Sequence, residues 1–384
     1  MPVNEDFRLD SYIFDLPEDR IAQWPAPERA DSRLMVLRRS DSTLSTDTFH
    51  NILDYLPPEC LLVANNSRVV PVRLISKRKG GGKLETLLLT PLPLLVSQGR
   101  QEPFIFPNWH RAEAEMLLRP AKRIREGELI SLEPNLAVEI LERGEFGRFR
   151  VNLVWQGDLL SILERRGLVP LPPYIKRSRV QDESAGTSDA QQSRRDRERY
   201  QTVYAREDKA GSAAAPTAGL HFTPAIFDAL RASGREWAEV TLYVGYGTFS
   251  PVRCDDIRQH DMHREYVELD EKSADAIARA KASGRPVIAV GTTSCRTLEG
   301  IHAVQGGTPS SPPQPFKGWI NHFLYPGKEF NVIDGMITNF HLPGSSLLML
   351  VSALAGRERI LAAYQEAIDK NFRFFSYGDA MLIL

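Results

Sequence analysis

The sequence predicts a mixed α/β catalytic domain interrupted by a small all-β domain, and three observations carry that expectation. Residues 60–155 break into short β-rich runs separated by glycine turns. After Gly157 the apolar period lengthens to that of helices, and from about residue 237 strand-like and helix-like segments alternate. The expected division is a discontinuous catalytic domain of residues 1–67 and 156–384, with an inserted β domain of residues 68–155.

In chain order, the β runs are CLLVAN from Cys60, VVPVRLIS, KLETLLL, AEMLLR, ELISLE, LAVEILE and RFRVNLVW, punctuated by Gly80-Gly81-Gly82 and by Gly144. The stretch LTPLPLLVSQGRQEPFIFPNW, rich in proline and without a clean period, is expected to be an inserted loop. DLLSILERR then reads as a helix stopped at Gly167, a C′ glycine, and Thr223-Pro224 caps the helix AIFDALRA, which stops at Gly234. WAEVTLYV is the next strand, SADAIARAKA a helix, and PVIAV a strand running into GTTSCRTLEG. MITNF is a buried strand, SSLLMLVSALA and RERILAAYQEAIDK are helices broken at Gly356, and FRFFSYGDAMLIL returns to strand. RSRVQDESAGTSDAQQSRRDRER and VQGGTPSSPPQP carry too little apolar content for core and are expected to be surface loops.

A chain of 384 residues that is 42% hydrophobic can bury a large core and favours more than one domain. Its three cysteines, Cys60, Cys254 and Cys295, match neither a disulfide framework nor a zinc spacing. The start MPVNEDFRLD lacks the pattern of a signal peptide, and no apolar run approaches the roughly 18 residues of a membrane span, so a cytoplasmic protein is expected. A formal charge of −1 excludes blanket attraction to nucleic acid. Positive charge nevertheless clusters at Arg73, Lys77, Arg78 and Lys79, at Arg119, Lys122, Arg123 and Arg125, and from Arg194 to Arg199. Each cluster is either a solvated face or part of a track for a phosphate backbone.

Four histidines fall in turns where side chains meet ligands. His221 lies in PTAGLHF beside Thr217 and Gly219, as a turn histidine or a proton carrier. HDMHREY sets His260 and His263 three apart with Glu265 beyond, a spacing for a helical metal pair or for acid/base work. Without H-E-x-x-H, a cysteine partner or an acidic cluster, proton transfer is the expectation and no metal is assigned. Gly291-Thr292-Thr293-Ser294 and Gly245-Tyr246-Gly247-Thr248 are glycine turns at strand ends, where backbone N–H groups hold anions; Arg296 either pairs with a ligand carboxylate or makes a salt bridge. Neither turn is a dinucleotide fingerprint or a P-loop, which argues against Rossmann enzymes and NTPases. Asn65 and Arg68 end the CLLVA strand as a plain turn or as a reach into the site, and TNFHLP concentrates Thr338, Asn339 and His341 before a helix.

These segments occur in a specific order: PAPERADSRL, LLVANNSRVVPVRL, GGKLE, LRPAKRI, LPPYI, YQTVYA, AAPTAGLHF, GTFSPVR, HDMHREY, AVGTTSCRTLE, YPG, TNFHLPGSSLLMLVSALAG and FFSYGDAM. Taken together they resemble the S-adenosylmethionine:tRNA ribosyltransferase-isomerase family of queuosine biosynthesis across nearly the whole chain. One departure is Tyr243, where the family has a histidine in V-T-L-H-V-G.

The resemblance implies an enzyme that uses S-adenosylmethionine as ribosyl donor rather than methyl donor, with no permanently bound cofactor. The acceptor would be the aminomethyl group of 7-aminomethyl-7-deazaguanine at the tRNA wobble position, and the products epoxyqueuosine, adenine and methionine. Acid/base roles are then expected of His221, His260, His263 and Glu265. Thr292, Thr293, Ser294 and Arg296 would hold the methionine end, and Thr338, Asn339 and His341 the nucleoside. Asn65, Arg68, Thr217, Gly219 and Tyr243 are further expected contacts. A monomer without membrane attachment is expected. The rivals are a tRNA-binding protein that lost catalysis, supported by Tyr243, and a different S-adenosylmethionine enzyme.

Overall fold

The computed structural model describes residues 4–78, 81–101, 109–177, 187–245, 252–308 and 311–384. Lys79, Gly80, the Tyr246-Gly247-Thr248 turn and parts of the three loop segments lie outside them. Among the described residues no helix is long and apolar enough to cross a membrane.

Nine strands form the larger sheet, in the order Phe316–Ile320, Glu265–Leu269, Glu236–Tyr243, Leu61–Asn65, Val287–Val290, Gly335–Asn339, Ala380–Ile383, Arg33–Leu37 and Leu44–Thr48. Its centre is parallel: Leu61–Asn65 runs parallel to both Glu236–Tyr243 and Val287–Val290, and the latter parallel to Gly335–Asn339. Alternate residues enter opposite cores, as the pleat requires. Leu61 and Val63 pack in one cluster with Ala289, Met336 and Met381, while Leu62 and Ala64 pack in another with Ile288, Val290, Ile337 and Leu382. Burial on both faces explains why these strands read as continuous apolar runs. All four parallel strands point their carboxyl ends the same way, and the predicted motifs PTAGLHF, GTTSCR and TNFHLP gather at that end or beside it.

The second sheet holds Arg73–Lys77, Lys83–Leu88, Trp109–Arg119, Arg148–Gln156, Leu136–Arg143 and Leu129–Glu133 in that order, with Arg100–Gln101 paired to the long Trp109–Arg119 strand. Every β run expected between residues 69 and 155 is part of a strand, and the two edge strands of the sheet touch, so it curls on itself. Its core extends past Trp155, because the Leu159–Arg166 helix buries Leu159, Ile162 and Leu163 against it.

Three expectations need correction. The proline-rich stretch from Leu89 contains the helix Leu92–Gln98, with Pro93 in its first turn where no amide donor is needed and Leu92 and Leu95 buried in the second sheet's core. Within the polar stretch from Arg177, Thr187–Arg199 is a helix tied down by its arginines: Arg177 makes two 2.9 Å bonds to Asp196, and Arg197 and Arg199 donate to the carbonyls of Glu164, Gly167, Pro27 and Ala26. Of FRFFSYGDAMLIL only Ala380–Ile383 is strand, and Asp379 holds the loop before it by accepting from the Arg33 and Arg373 amides.

Gly167 is also not a left-handed C′ residue, since its φ is −78°. A Cβ there would lie 1.6 Å from the Pro71 carbonyl oxygen, so the glycine serves a close chain crossing.

Candidate active site

Two cavities open at the carboxyl ends of the large sheet's strands. The smaller, about 150 Å³, is largely apolar: Ala214, Ala215, Pro216, Ala218, Val244, Phe340 and Leu342 contribute to it, with Tyr174 and Phe375 as aromatic walls. Its polar lining includes Thr217, Thr292, Thr293, Thr338, Asn339, His341, Ser345 and Ser376. The larger, about 740 Å³, is a charged cleft with one wall from each sheet. Tyr243, Asp261, His263, Arg264, Glu265 and Trp319 face Glu113, Glu115, Arg148 and Arg150. Tyr243 and Gly245 line the cleft and Val244 between them lines the pocket, so one strand end separates the two.

Local sequence builds the pocket. Gly291, at a φ of 90° that favours glycine, turns the chain from the Val287–Val290 strand into the Thr292–Val304 helix, setting that helix's amino terminus on the pocket wall. Thr293 Oγ1 is buried with no hydrogen-bond partner among the described residues, whereas Ser294 turns inward and donates to the Val290 carbonyl at 2.8 Å. Phe375 occupies a positive φ of 72°, a conformation that costs a non-glycine residue roughly 1–3 kcal/mol. The strain puts its ring 4.7 Å from that of Tyr174, whose hydroxyl lies 2.5 Å from Ser376 Oγ.

His341 is buried, with Nε2 2.9 Å from Thr338 Oγ1, and burial pushes its pKa down to about 3. His221 sits behind the pocket wall. Its Nδ1 lies 2.7 Å from Ser32 Oγ and its Nε2 3.2 Å from Asn339 Nδ2, while its ring packs on Phe49. Burial first, then the charges of Arg373 and Arg29, push its pKa down to about 3. With both nitrogens engaged and the ring held neutral, this histidine is placed to orient Asn339.

In the cleft the order is different. Residues 260–264 are not helical, so His260 and His263 do not share a helix face. His263 Nε2 instead lies 3.3 Å from Glu265 Oε1, and Glu265 Oε2 lies 2.5 Å from Arg296 Nη2. His260 packs edge-on against Phe323, and its pKa is lowered by burial and by His263.

Four expected contacts are engaged elsewhere. Asn65 clamps the neighbouring strand, donating to the Leu242 carbonyl while its Oδ1 accepts from the Leu242 and Ser67 amides. Arg68 pairs with Glu164 at 2.8 Å. At Gly219 the close approach is made by the protein itself, since a Cβ would lie 1.9 Å from the Tyr204 hydroxyl. Arg296 lines neither cavity and reaches the cleft through Glu265; its Nε has no hydrogen-bond partner among the described residues. Tyr174, Phe375 and Ser376 were not expected at the site. Their segments LPPYI and FFSYGDAM are distinctive, but tyrosine, phenylalanine and serine carry no titration near neutral pH to mark them.

An apolar pocket and a charged cleft, side by side at the carboxyl ends of parallel strands, are the arrangement of an α/β enzyme. The chain belongs to the queuosine biosynthesis protein family, whose profile matches residues 9–383. It is 55% identical over 380 residues, 98% of both chains, to the S-adenosylmethionine:tRNA ribosyltransferase-isomerase of Nitratidesulfovibrio vulgaris strain DP4. The enzyme of the same name from Oleidesulfovibrio alaskensis is 52% identical, over 99% of this chain and 94% of its own. Among solved structures, S-adenosylmethionine tRNA ribosyltransferase from Thermotoga maritima is similar at 28% identity and a TM-score of 0.50, covering 97% of this chain and 100% of its own.

Proposed function

We propose that the chain transfers and isomerises the ribosyl group of S-adenosylmethionine onto the aminomethyl group of 7-aminomethyl-7-deazaguanine at the tRNA wobble position, releasing adenine and methionine and leaving epoxyqueuosine. Family membership and full-length relatives of that name support the ribosyltransferase-isomerase activity. The observation that carries the finer reading is the pair of cavities side by side at one strand end, Tyr243 and Gly245 lining one and Val244 the other. The apolar pocket suits the adenosyl group, and the wider cleft suits a modified base extended from an RNA loop.

In this reading Thr338, Asn339 and His341 face the nucleoside. Thr292 and Thr293, with the amino terminus of their helix, receive the methionine carboxylate, and Ser294 and Arg296 support that turn from behind. The chemistry needs a base for the acidic C5′ proton beside the sulfonium and a proton acceptor for the incoming ammonium. We assign these roles to His263 with Glu265, a reading supported by their 3.3 Å contact in the cleft that Tyr243 also lines. His260 borders that pair, and His221 acts through Asn339. Residues 68–155 form an inserted β domain supplying the far wall of the cleft. S-adenosylmethionine is a co-substrate, no metal takes part, and the enzyme works as a cytoplasmic monomer.

Incubation with S-adenosylmethionine and tRNA carrying the aminomethyl-deazaguanine should yield free adenine and the epoxide-bearing nucleoside by chromatography. Release of S-adenosylhomocysteine instead would identify a methyl transfer, and binding without turnover a tRNA-binding protein; either result sinks the reading.

A further inference from the structure

The pocket's polar lining is oriented, and its orientation selects a chemical group. Asn339 Nδ2 lies 3.2 Å from the Phe375 carbonyl oxygen and 3.2 Å from His221 Nε2. A carbonyl only accepts, so the amide nitrogen must face it; reversing the amide would set two acceptors against each other. His221 Nε2 is therefore the acceptor of the second bond, which puts the ring proton on Nδ1, donated to Ser32 Oγ at 2.7 Å. The Ser32 hydroxyl in turn points to the Arg29 carbonyl at 3.4 Å. Every proton in the chain Arg29–Ser32–His221–Asn339 is thereby assigned, and Asn339 Oδ1 is left as a fixed acceptor. That atom is buried, Asn339 is 2% exposed, and no donor reaches Oδ1 among the described residues. A buried acceptor without a donor costs about 1–3 kcal/mol, so the pocket is built for a ligand that brings one.

We infer that Asn339 Oδ1 reads the exocyclic amine of a base bound in this pocket, and that Ser32 and His221 are positioning residues which make it an acceptor. The inference rests on the assignment of this pocket to the adenosyl group. It makes the enzyme specific for a 6-amino purine over a 6-oxo purine, because an oxo group would meet Oδ1 acceptor to acceptor.

The test compares S-adenosylmethionine with its 6-oxo counterpart and with the purine counterpart lacking the 6-amine, by calorimetric binding and by kcat/KM with the modified tRNA. Wild-type protein should disfavour the 6-oxo compound by at least about 100-fold, a floor below the roughly 10⁴–10⁵ by which sites built around a hydrogen bond reject analogues that lack it. Asn339→Leu should bring all three within about threefold of one another. Ser32→Ala, which frees the His221 ring, should cut the amino-to-oxo ratio at least about tenfold, and Ser32→Thr should restore it; a purely structural role would lower all three ligands together. Equal wild-type binding of the amino and oxo compounds, or discrimination that survives Asn339→Leu, overturns the inference while leaving the function standing. If the wild-type protein binds none of the three, the assignment of the pocket falls and the inference with it.

Discussion

The guanidinium of Arg296 and the carboxylate of Glu265 lie 2.5 Å apart with side chains only 3% and 1% exposed, joining the helix that borders the pocket to the strand that borders the cleft. Two charges taken out of water depend on each other, and removing one strands the other at a cost of about 3–5 kcal/mol. Arg296→Met and Glu265→Gln should each lower stability by that order in urea unfolding, and the double replacement should recover most of the loss. Recovered stability without recovered turnover would separate the pair's structural part from the acid/base part proposed for Glu265 with His263. Additive losses in the double variant would mean the two side chains do not interact.

Acid should unfold the protein through its buried histidines. His221 and His341 have folded pKa values pushed down to about 3, and burial pushes His322 down to about 4. An unfolded histidine titrates near 6.5, so below that pH the unfolded chain binds protons that the folded chain refuses, and stability falls as pH drops toward the folded values. His221 and His341 should each contribute a slope of about 1.4 kcal/mol per pH unit from pH 6 downward. Buried Glu299, whose pKa is raised, works in the opposite sense at the acid end. Unfolding free energies measured from pH 7 to 5 should decline, and His341→Gln should remove about one proton from the slope. A flat profile would show that these rings are protonated in the native state.

Local signals in the chain mark most strands and helices and several of the threonines and histidines that line the pocket, but not its aromatic wall. Alternation between turn formers marked the strands of the second sheet, and Asp158 and Thr223 mark helix starts because each accepts from an amide three residues on. What could not be read is whatever depends on a distant neighbour. Gly167 and Gly219 are small because Pro71 and Tyr204 press on them, and the Thr187–Arg199 helix has no apolar face to announce it. For the site, residue chemistry singled out the histidines and threonines, but not which way they face. His221 reads equally as a turn histidine or a proton carrier, and only its contacts with Ser32 and Asn339 show a ring committed on both sides.

Gly219 offers a test of such packing. The phenol of Tyr204 is buried, has no hydrogen-bond partner among the described residues, and fills the space a side chain at 219 would need. Gly219→Ala should destabilise by about 1–3 kcal/mol through overpacking. Tyr204→Phe alone should be neutral or stabilising, since it deletes an unsatisfied polar atom, and it should relieve part of the Gly219→Ala penalty. Thermal unfolding of the four proteins decides it. An unaltered melting temperature for Gly219→Ala would mean that the loop carrying Thr217 yields freely.

The basic clusters differ in what their charges are doing, and salt should separate them. Arg73 and Arg78 pair with Glu85 and Glu128, and Arg197 and Arg199 are spent on backbone carbonyls. Arg119, Lys122, Arg123 and Arg125 are exposed and make no ion pair among the described residues. Each phosphate contact releases counterions, so log K for tRNA should fall with log salt by about 0.7 to 0.9 per contact. Replacing Lys122, Arg123 and Arg125 together by alanine should make that slope shallower by as much as about 2 to 3 while leaving the melting temperature nearly unchanged. Replacing Arg197 and Arg199 should do the reverse, lowering stability with the slope intact. If the first set leaves the salt dependence untouched, these free cations form a solvated face and the RNA lies elsewhere.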